Sequence, residues 1–232
     1  MAGAMKMPGT LLMITLASVF LTAKAGDVMV PDIGGGLLNV KVVSLKERRF
    51  TTTIRQQHDY SCGSAALATL LTYQYKHPVS EETVFKAMWE KGDQAKIGRE
   101  GFSLLDIKRY LEDIGYSADG YVAPLERLAS VGIPAIVLIR DNGYNHFVVV
   151  RGIQDGMVAV ADPSVGARVI PKAQFEKMRL NRILFVINGR KEQVAYNRAA
   201  DWKIREKAPI GVALGTDSLA SAIVLRRSPS DY

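Results

Sequence analysis

Gln56-Gln57-His58-Asp59-Tyr60-Ser61-Cys62-Gly63-Ser64-Ala65-Ala66-Leu67 passes from a polar loop into a run of small apolar residues. A polar-to-small switch of this kind predicts a helix starting at Cys62 and packed closely on its neighbours, running towards Tyr75 and ended by His77-Pro78. Cys62 is the only cysteine in 232 residues. In the first helical turn, unpaired N–H groups and the helix dipole favour a thiolate, so the position suggests an activated nucleophile.

Working outward, Ser80 caps a helix to about Glu90, with Val84, Phe85 and Met88 on one face. Ser103-Leu104-Leu105-Asp106 has the capping-box form and opens a helix through Leu111 and Ile114 that Gly115 stops. The period then changes. Ala135 to Ile139, Phe147 to Val150, Met157 to Ala161, Ala167 to Ile170 and Ile183 to Ile187 are short runs rich in β-branched residues, separated by turn signals. Helices first and strands second give an α+β class, with a helical half carrying Cys62 packed on an antiparallel sheet and a cleft where the halves meet.

Residues 1–25 read as a signal peptide, with Lys6 ahead of an apolar Leu11 to Leu21 core and Ala23-Lys24-Ala25 as the cleavage site. That core is shorter than the ~20 residues a membrane span requires, so no stable span is expected after cleavage. The expected location is outside the cytoplasm. A thiol with no partner cysteine in an oxidising compartment calls for a chemical role. Residues 26–36 read as a Gly/Pro-rich linker ending in Gly34-Gly35-Gly36, residues 37–188 as one domain, and residues 189–232 as a weakly packed extension. Self-cleavage at the glycine run is the alternative to a plain linker there.

The net charge of +7 falls to +5 when Lys6 and Lys24 leave with the signal. The basic residues are scattered without interleaved aromatics, which argues against a nucleic-acid partner. Three histidines and a single cysteine make a structural metal site improbable, and no cofactor is expected.

A cysteine nucleophile needs a base, and the choices are His58, His77 and His146. His77 lies in a helix stop, and His58 is only four residues from Cys62. His146 follows the turn Asp141-Asn142-Gly143-Tyr144 and opens a strand, where a rigid sheet would hold it. A base of this kind needs an acceptor on its second nitrogen. Taking Gln154-Asp155-Gly156 as a three-residue hairpin loop pairs Ile153 with Met157 and, counting back, His146 with Ser164. Asp162 is then the diagonal neighbour of His146 on the same face. An oxyanion formed at Cys62 needs donors, which the Cys62 N–H and the side chain of Gln56 or Gln57 can supply.

Gln56 six residues before Cys62-Gly63, the small-residue helix, His146-Phe147-Val148-Val149 and Asp162-Pro163 together resemble the C39 peptidases, papain-like cysteine proteases that cut leader peptides after Gly-Gly. The resemblance spans about residues 50–188. It implies a papain-like fold with Cys62 as nucleophile, His146 as base, Asp162 as orienting acid and Gln56, rather than Gln57, as oxyanion donor. Ser61 stands where many members carry aspartate, and the chain has no G-x-x-x-x-G-K-[ST] loop of a fused transporter. As a stand-alone exported form it resembles the C39-like component of the functional-amyloid (Fap) secretion system of Gram-negative bacteria. This implies a periplasmic protein or peptide substrate, amyloid subunits or secretion components among the partners, and a role in biofilm fibre biogenesis. The alternative is a non-proteolytic, protease-like chaperone or binding module.

Overall fold

The computed structural model describes residues 27–31, 37–41, 44–190 and 194–203. The signal peptide, the glycine run and the chain beyond Lys203 lie outside the described residues. The contacts divide the chain into two units, at Ser44 and Leu45. In the first, β1 (Asp27–Pro31) pairs antiparallel with β2 (Leu37–Lys41). Leu37–Lys41, where the domain is expected to start, falls in the first of these units, and Leu45 opens the second.

The second unit opens with α1 (Leu45–Arg49), followed by α2 (Cys62–Thr69), which continues as one π-helical turn at Leu70–Gln74. Then come α3 (Glu81–Lys91), α4 (Gln94–Glu100) and α5 (Leu104–Asp113). Local chemistry sets these boundaries. Ser80 Oγ accepts from the Thr83 N–H, and Ser103 with Asp106 forms the expected reciprocal cap. Gly115 ends α5 at φ +79°, a conformation that costs glycine little.

The strands β3 (Ala118–Val122), β4 (Ala135–Asp141), β5 (Tyr144–Gln154), β6 (Met157–Asp162), β7 (Gly166–Pro171) and β8 (Ile183–Ile187) form one antiparallel sheet in the order β3-β8-β4-β5-β6-β7. The helices α6 (Glu126–Val131), α7 (Lys172–Met178) and α8 (Ala199–Trp202) complete the described elements. Strand alternation splits the core in two. Phe147, Val149, Ala161, Phe185 and Ile187 pack with α2, α3 and α5. Val148, Val150, Val160, Leu184 and Val186 pack with Leu125, Leu128 and Phe175 on the other face. Both faces of the central strands are therefore buried, which is why their sequences are apolar throughout.

The hairpin joining β5 to β6 departs from expectation. Gln154 pairs with Met157, so the loop has two residues, and both Asp155 and Gly156 have positive φ, 50° and 71°, as a type I′ turn requires. Taken alone this shifts the register by one. A β-bulge at Arg151, between Val150 and Gly152, shifts it back, and Val149 pairs with Ala161 as the expected register demands.

The bulge is held by the end of the described chain. Arg151 is fully buried, with its guanidinium donating to Thr52 O (3.1 Å) and Oγ1 (2.7 Å) and its Nε 3.5 Å from Asp201 of α8. Asn197 N–H donates to Arg151 O, and Ala195 N–H to Gln74 O in the π turn. Residues 194–203 form a docked strap, not the loosely packed start of an extension. The reason is Arg151: a buried guanidinium is costly without a paired carboxylate, and Asp201 is that carboxylate.

Gly152 lets the strap approach. A Cβ there would lie 2.7 Å from Asn197 Oδ1 and 3.2 Å from Trp202 Cζ2. Gly152→Val is therefore expected to destabilise the fold by about 1–3 kcal/mol and to loosen the strap. Thermal unfolding with limited proteolysis checks this, and an unchanged melting curve and digest would contradict it.

Candidate active site

Cys62 is the first residue of α2. Ser61, in the cap position, turns its hydroxyl back on the loop: Oγ donates to His58 O (3.0 Å) and accepts from His58 N–H (3.1 Å). No side chain caps α2. Its first N–H groups are thereby left to the thiol, and those of Cys62 and Gly63, with that of Phe147, act to lower its pKa. Burial outweighs them, reinforced by the Asp162 charge, and the thiol pKa is raised. The expectation of a thiol activated by position alone is corrected here, because Cys62 is 8% exposed. Burial that disfavours the thiolate gives a neighbouring base a role.

Gly63 lets β5 and the loop before α5 come close to Cys62. A Cβ on it would meet Phe102 Cβ at 2.9 Å and Phe147 Cδ2 at 3.6 Å. Cys62 thus sits beside the residue that follows His146.

His146 lies near the start of β5, after the Asn142-Gly143 turn whose φ values, 49° and 86°, fit a type I′ hairpin. Its Nε2 donates to Asp162 Oδ2 at 3.0 Å. Continuing the β5–β6 register from Val149↔Ala161 makes Asp162 the diagonal neighbour of His146, as the sequence implied. With Nε2 occupied, Nδ1 is the nitrogen left to serve a thiol. Among the described residues no hydrogen bond joins Cys62 Sγ to the imidazole, so the structure places them near one another without an engaged pair.

Asp162 is 1% exposed and well satisfied. Oδ1 accepts from Ser164 N–H (2.9 Å) and Ser164 Oγ (2.6 Å), and Arg168 Nη2 stands 2.8 Å from Oδ2. Burial alone would raise its pKa. The His146 hydrogen bond and charge, Ser164 and Arg168 together prevail and hold it at about 2. The Arg168 contact is charge to charge, since Nη2 does not align as a hydrogen-bond donor. Sequence reasoning missed Arg168. The β6–β7 register, Val160↔Arg168 and Asp162↔Gly166, is the signal that would have found it.

Gln56 is half-buried and Gln57 exposed. Gln56 N–H donates to Pro163 O (3.1 Å), which latches this loop to the turn after Asp162. Its side-chain Nε2 is engaged by His58 O (3.1 Å), so donation to an oxyanion requires that bond to be exchanged. His58 instead stacks on Tyr60, with ring centroids 5.4 Å apart, and His77 meets the edge of Tyr116. Among the described residues neither imidazole is hydrogen-bonded to Cys62, His146 or Asp162, and His58 meets the site only through its backbone oxygen on Gln56.

A cleft of about 660 Å³ adjoins the thiol. Cys62, Phe102, Leu104, Ile136, Leu138 and Phe147 line it, with Glu100, Asn145 and Asn181 among its polar groups. A thiol at the wall of an open, largely apolar cleft can reach a bound carbonyl carbon. Among the described residues no group of His, Cys, Asp and Glu is arranged to hold a metal, and no helix is long and apolar enough to cross a membrane.

Comparison with known proteins gives a consistent picture. The model of the peptidase C39 family matches residues 51–191. The chain is similar to a protein of Pseudomonas aeruginosa named "Probable functional amyloid protease FapD", 40% identical over 181 residues covering 78% of this chain and 80% of the relative. A protein of the same name from Pseudomonas fluorescens is 38% identical over 191 residues, covering 78% and 82%. The crystal structure of the peptidase domain of Streptococcus ComA, described as a bi-functional ABC transporter involved in quorum sensing, superposes with a TM-score of 0.50 at 19% identity. It covers 59% of this chain and 96% of that domain, and supports the fold.

Proposed function

This chain belongs to the peptidase C39 family and is a cysteine peptidase, and we propose that Cys62 is its nucleophile, His146 its base, Asp162 the acid that orients His146, and Gln56 an oxyanion donor. The observation that carries this reading is the 3.0 Å bond from His146 Nε2 to a buried Asp162, on the strand whose Phe147 packs beside the Cys62 helix start.

In this reaction Nδ1 of His146 takes the thiol proton as Sγ attacks the scissile carbonyl carbon. The carbonyl oxygen becomes an oxyanion, held by the Cys62 N–H and by Gln56 Nε2 once it leaves His58 O. Asp162 stabilises the imidazolium. His146 then gives the proton to the leaving amine, and water, deprotonated by His146, releases the acyl group and restores the thiol. The raised thiol pKa gives the proton transfer its purpose, because burial disfavours a free thiolate.

The substrate we propose is an exported protein segment that enters the cleft in extended form, and the setting is functional-amyloid biogenesis outside the cytoplasm, after removal of residues 1–25. Similarity to two proteins named as functional amyloid proteases supports the setting, and the signal-like start supports the location. Mass spectrometry of exported proteins from cells carrying wild-type protein or Cys62→Ala tests both. One or a few protein termini are expected only with the wild type, and identical sets of termini would overturn the proposal.

A further inference from the structure

We infer that Arg168 is a positioning residue for this reaction, clamping Asp162 between β7 and the end of β4 and so holding the His146 ring. The inference rests on the catalytic reading above.

Four strands contribute. Asp141 ends β4, His146 lies near the start of β5, Asp162 ends β6 and Arg168 lies in β7, two residue pairs from the Asp162↔Gly166 end of the ladder. Arg168 Nη2 is 2.8 Å from Asp162 Oδ2, the oxygen that accepts from His146, while its Nη1 donates to Asp141 Oδ2 at 2.7 Å. Ser164 occupies the other Asp162 oxygen. The carboxylate is therefore fixed from three directions and cannot rotate without breaking a charged contact. A guanidinium fork spans two carboxylates at once, whereas a lysine ammonium is a single point of charge.

The clamp also sets charge. The titratable or charged groups facing it are His146 from β5, Asp162 from β6, Asp141 from β4 and, through Asp162, Cys62 from α2. From α1, the exposed Arg49 lies with its backbone against Gly166, and Lys172 of α7 is engaged by Glu126. Arg168 sets a positive charge against Asp162, whose own charge raises the Cys62 pKa, and so favours the thiolate, while Asp141 tempers that effect. Removing Arg168 then disfavours the thiolate, and removing Asp141 favours it. A purely structural contact has no reason to give opposite signs.

The single cysteine makes the measurement direct, because all alkylation of the full-length chain by iodoacetamide reports on Cys62. Its rate is followed against pH for wild type, Arg168→Met, Arg168→Lys, Asp141→Asn and His146→Ala. Arg168→Met is expected to move the profile up by about half to one pH unit, and Asp141→Asn to move it down by less. Arg168→Lys, which keeps the charge but loses the fork, is expected to move the profile up by less than Arg168→Met does. Should Arg168→Met fail to fold, the downward shift of Asp141→Asn carries the test. Unshifted profiles, or shifts of the same sign, overturn the clamp. If instead His146→Ala leaves the wild-type profile unchanged, the thiol–imidazole reading itself fails, and the two failures are thereby told apart.

Discussion

Cys62→Ala is expected to lower peptide cleavage by on the order of 10⁵-fold while leaving the melting temperature within a few degrees of wild type. The catalytic loss is large because no other group can form the acyl intermediate: the chain holds no second cysteine, and the base has nothing else to activate. The structural loss is small because alanine keeps the helix start and removes a single sulfur atom from the wall of an open cleft. Cleavage of a substrate found by terminal mass spectrometry, measured beside thermal unfolding, decides the matter. A variant retaining even a hundredth of wild-type activity would mean that the chemistry does not pass through this thiol.

Asp162→Ala is expected to be the most damaging substitution in the site for stability and activity together. It leaves Ser164, His146 and the Arg168 guanidinium without their shared acceptor inside the protein. Stranding a buried partner in this way costs about 3 kcal/mol or more. Turnover should fall by on the order of 10³- to 10⁴-fold, since the imidazole loses both its tautomer control and its counter-charge.

The same carboxylate gives an acid signature. Its pKa of about 2 in the fold lies below its ordinary value of 3.8, so the ionised form is the one the fold stabilises. That contribution, about 2 kcal/mol, is fully present above pH 4 and is lost as pH falls from about 4 to about 2. Denaturant titrations across this window should show the loss in wild type and a flatter curve in Asp162→Ala. Equal slopes in the two proteins would show that Asp162 is not ionised by its neighbours.

The helices starting at Cys62, Glu81 and Leu104 were legible because their caps and periodicity are local. The five core strands were legible because each is a dense β-branched run. Strand β3 was not, since Asp119-Gly120 interrupts its apolar character and its outer residues are exposed. Short α4, α6 and α7 carry too few turns for a period to emerge. The register of His146 against Asp162 is the instructive case. The expected three-residue loop is a two-residue turn, and the bulge at Arg151 restores the count. A bulge pinned by Asp201, fifty residues further on, has no local signal. Arg168 escaped for a related reason: its partners, Asp141 and Asp162, come from two different strands, and no local pattern brings them together.

The strap that pins Arg151 also places a demand on where the working unit ends. The family match stops at residue 191, and every proposed catalytic residue lies inside it, yet Asn197 and Asp201 hold the bulge that aligns two of them. The smallest active fragment is thus expected to be longer than the stretch that the family model matches. A boundary drawn by homology at 191 would keep the chemistry and discard part of its alignment. Among the described residues Asp201 is the last whose contact holds the bulge, so a fragment is expected to need at least that residue.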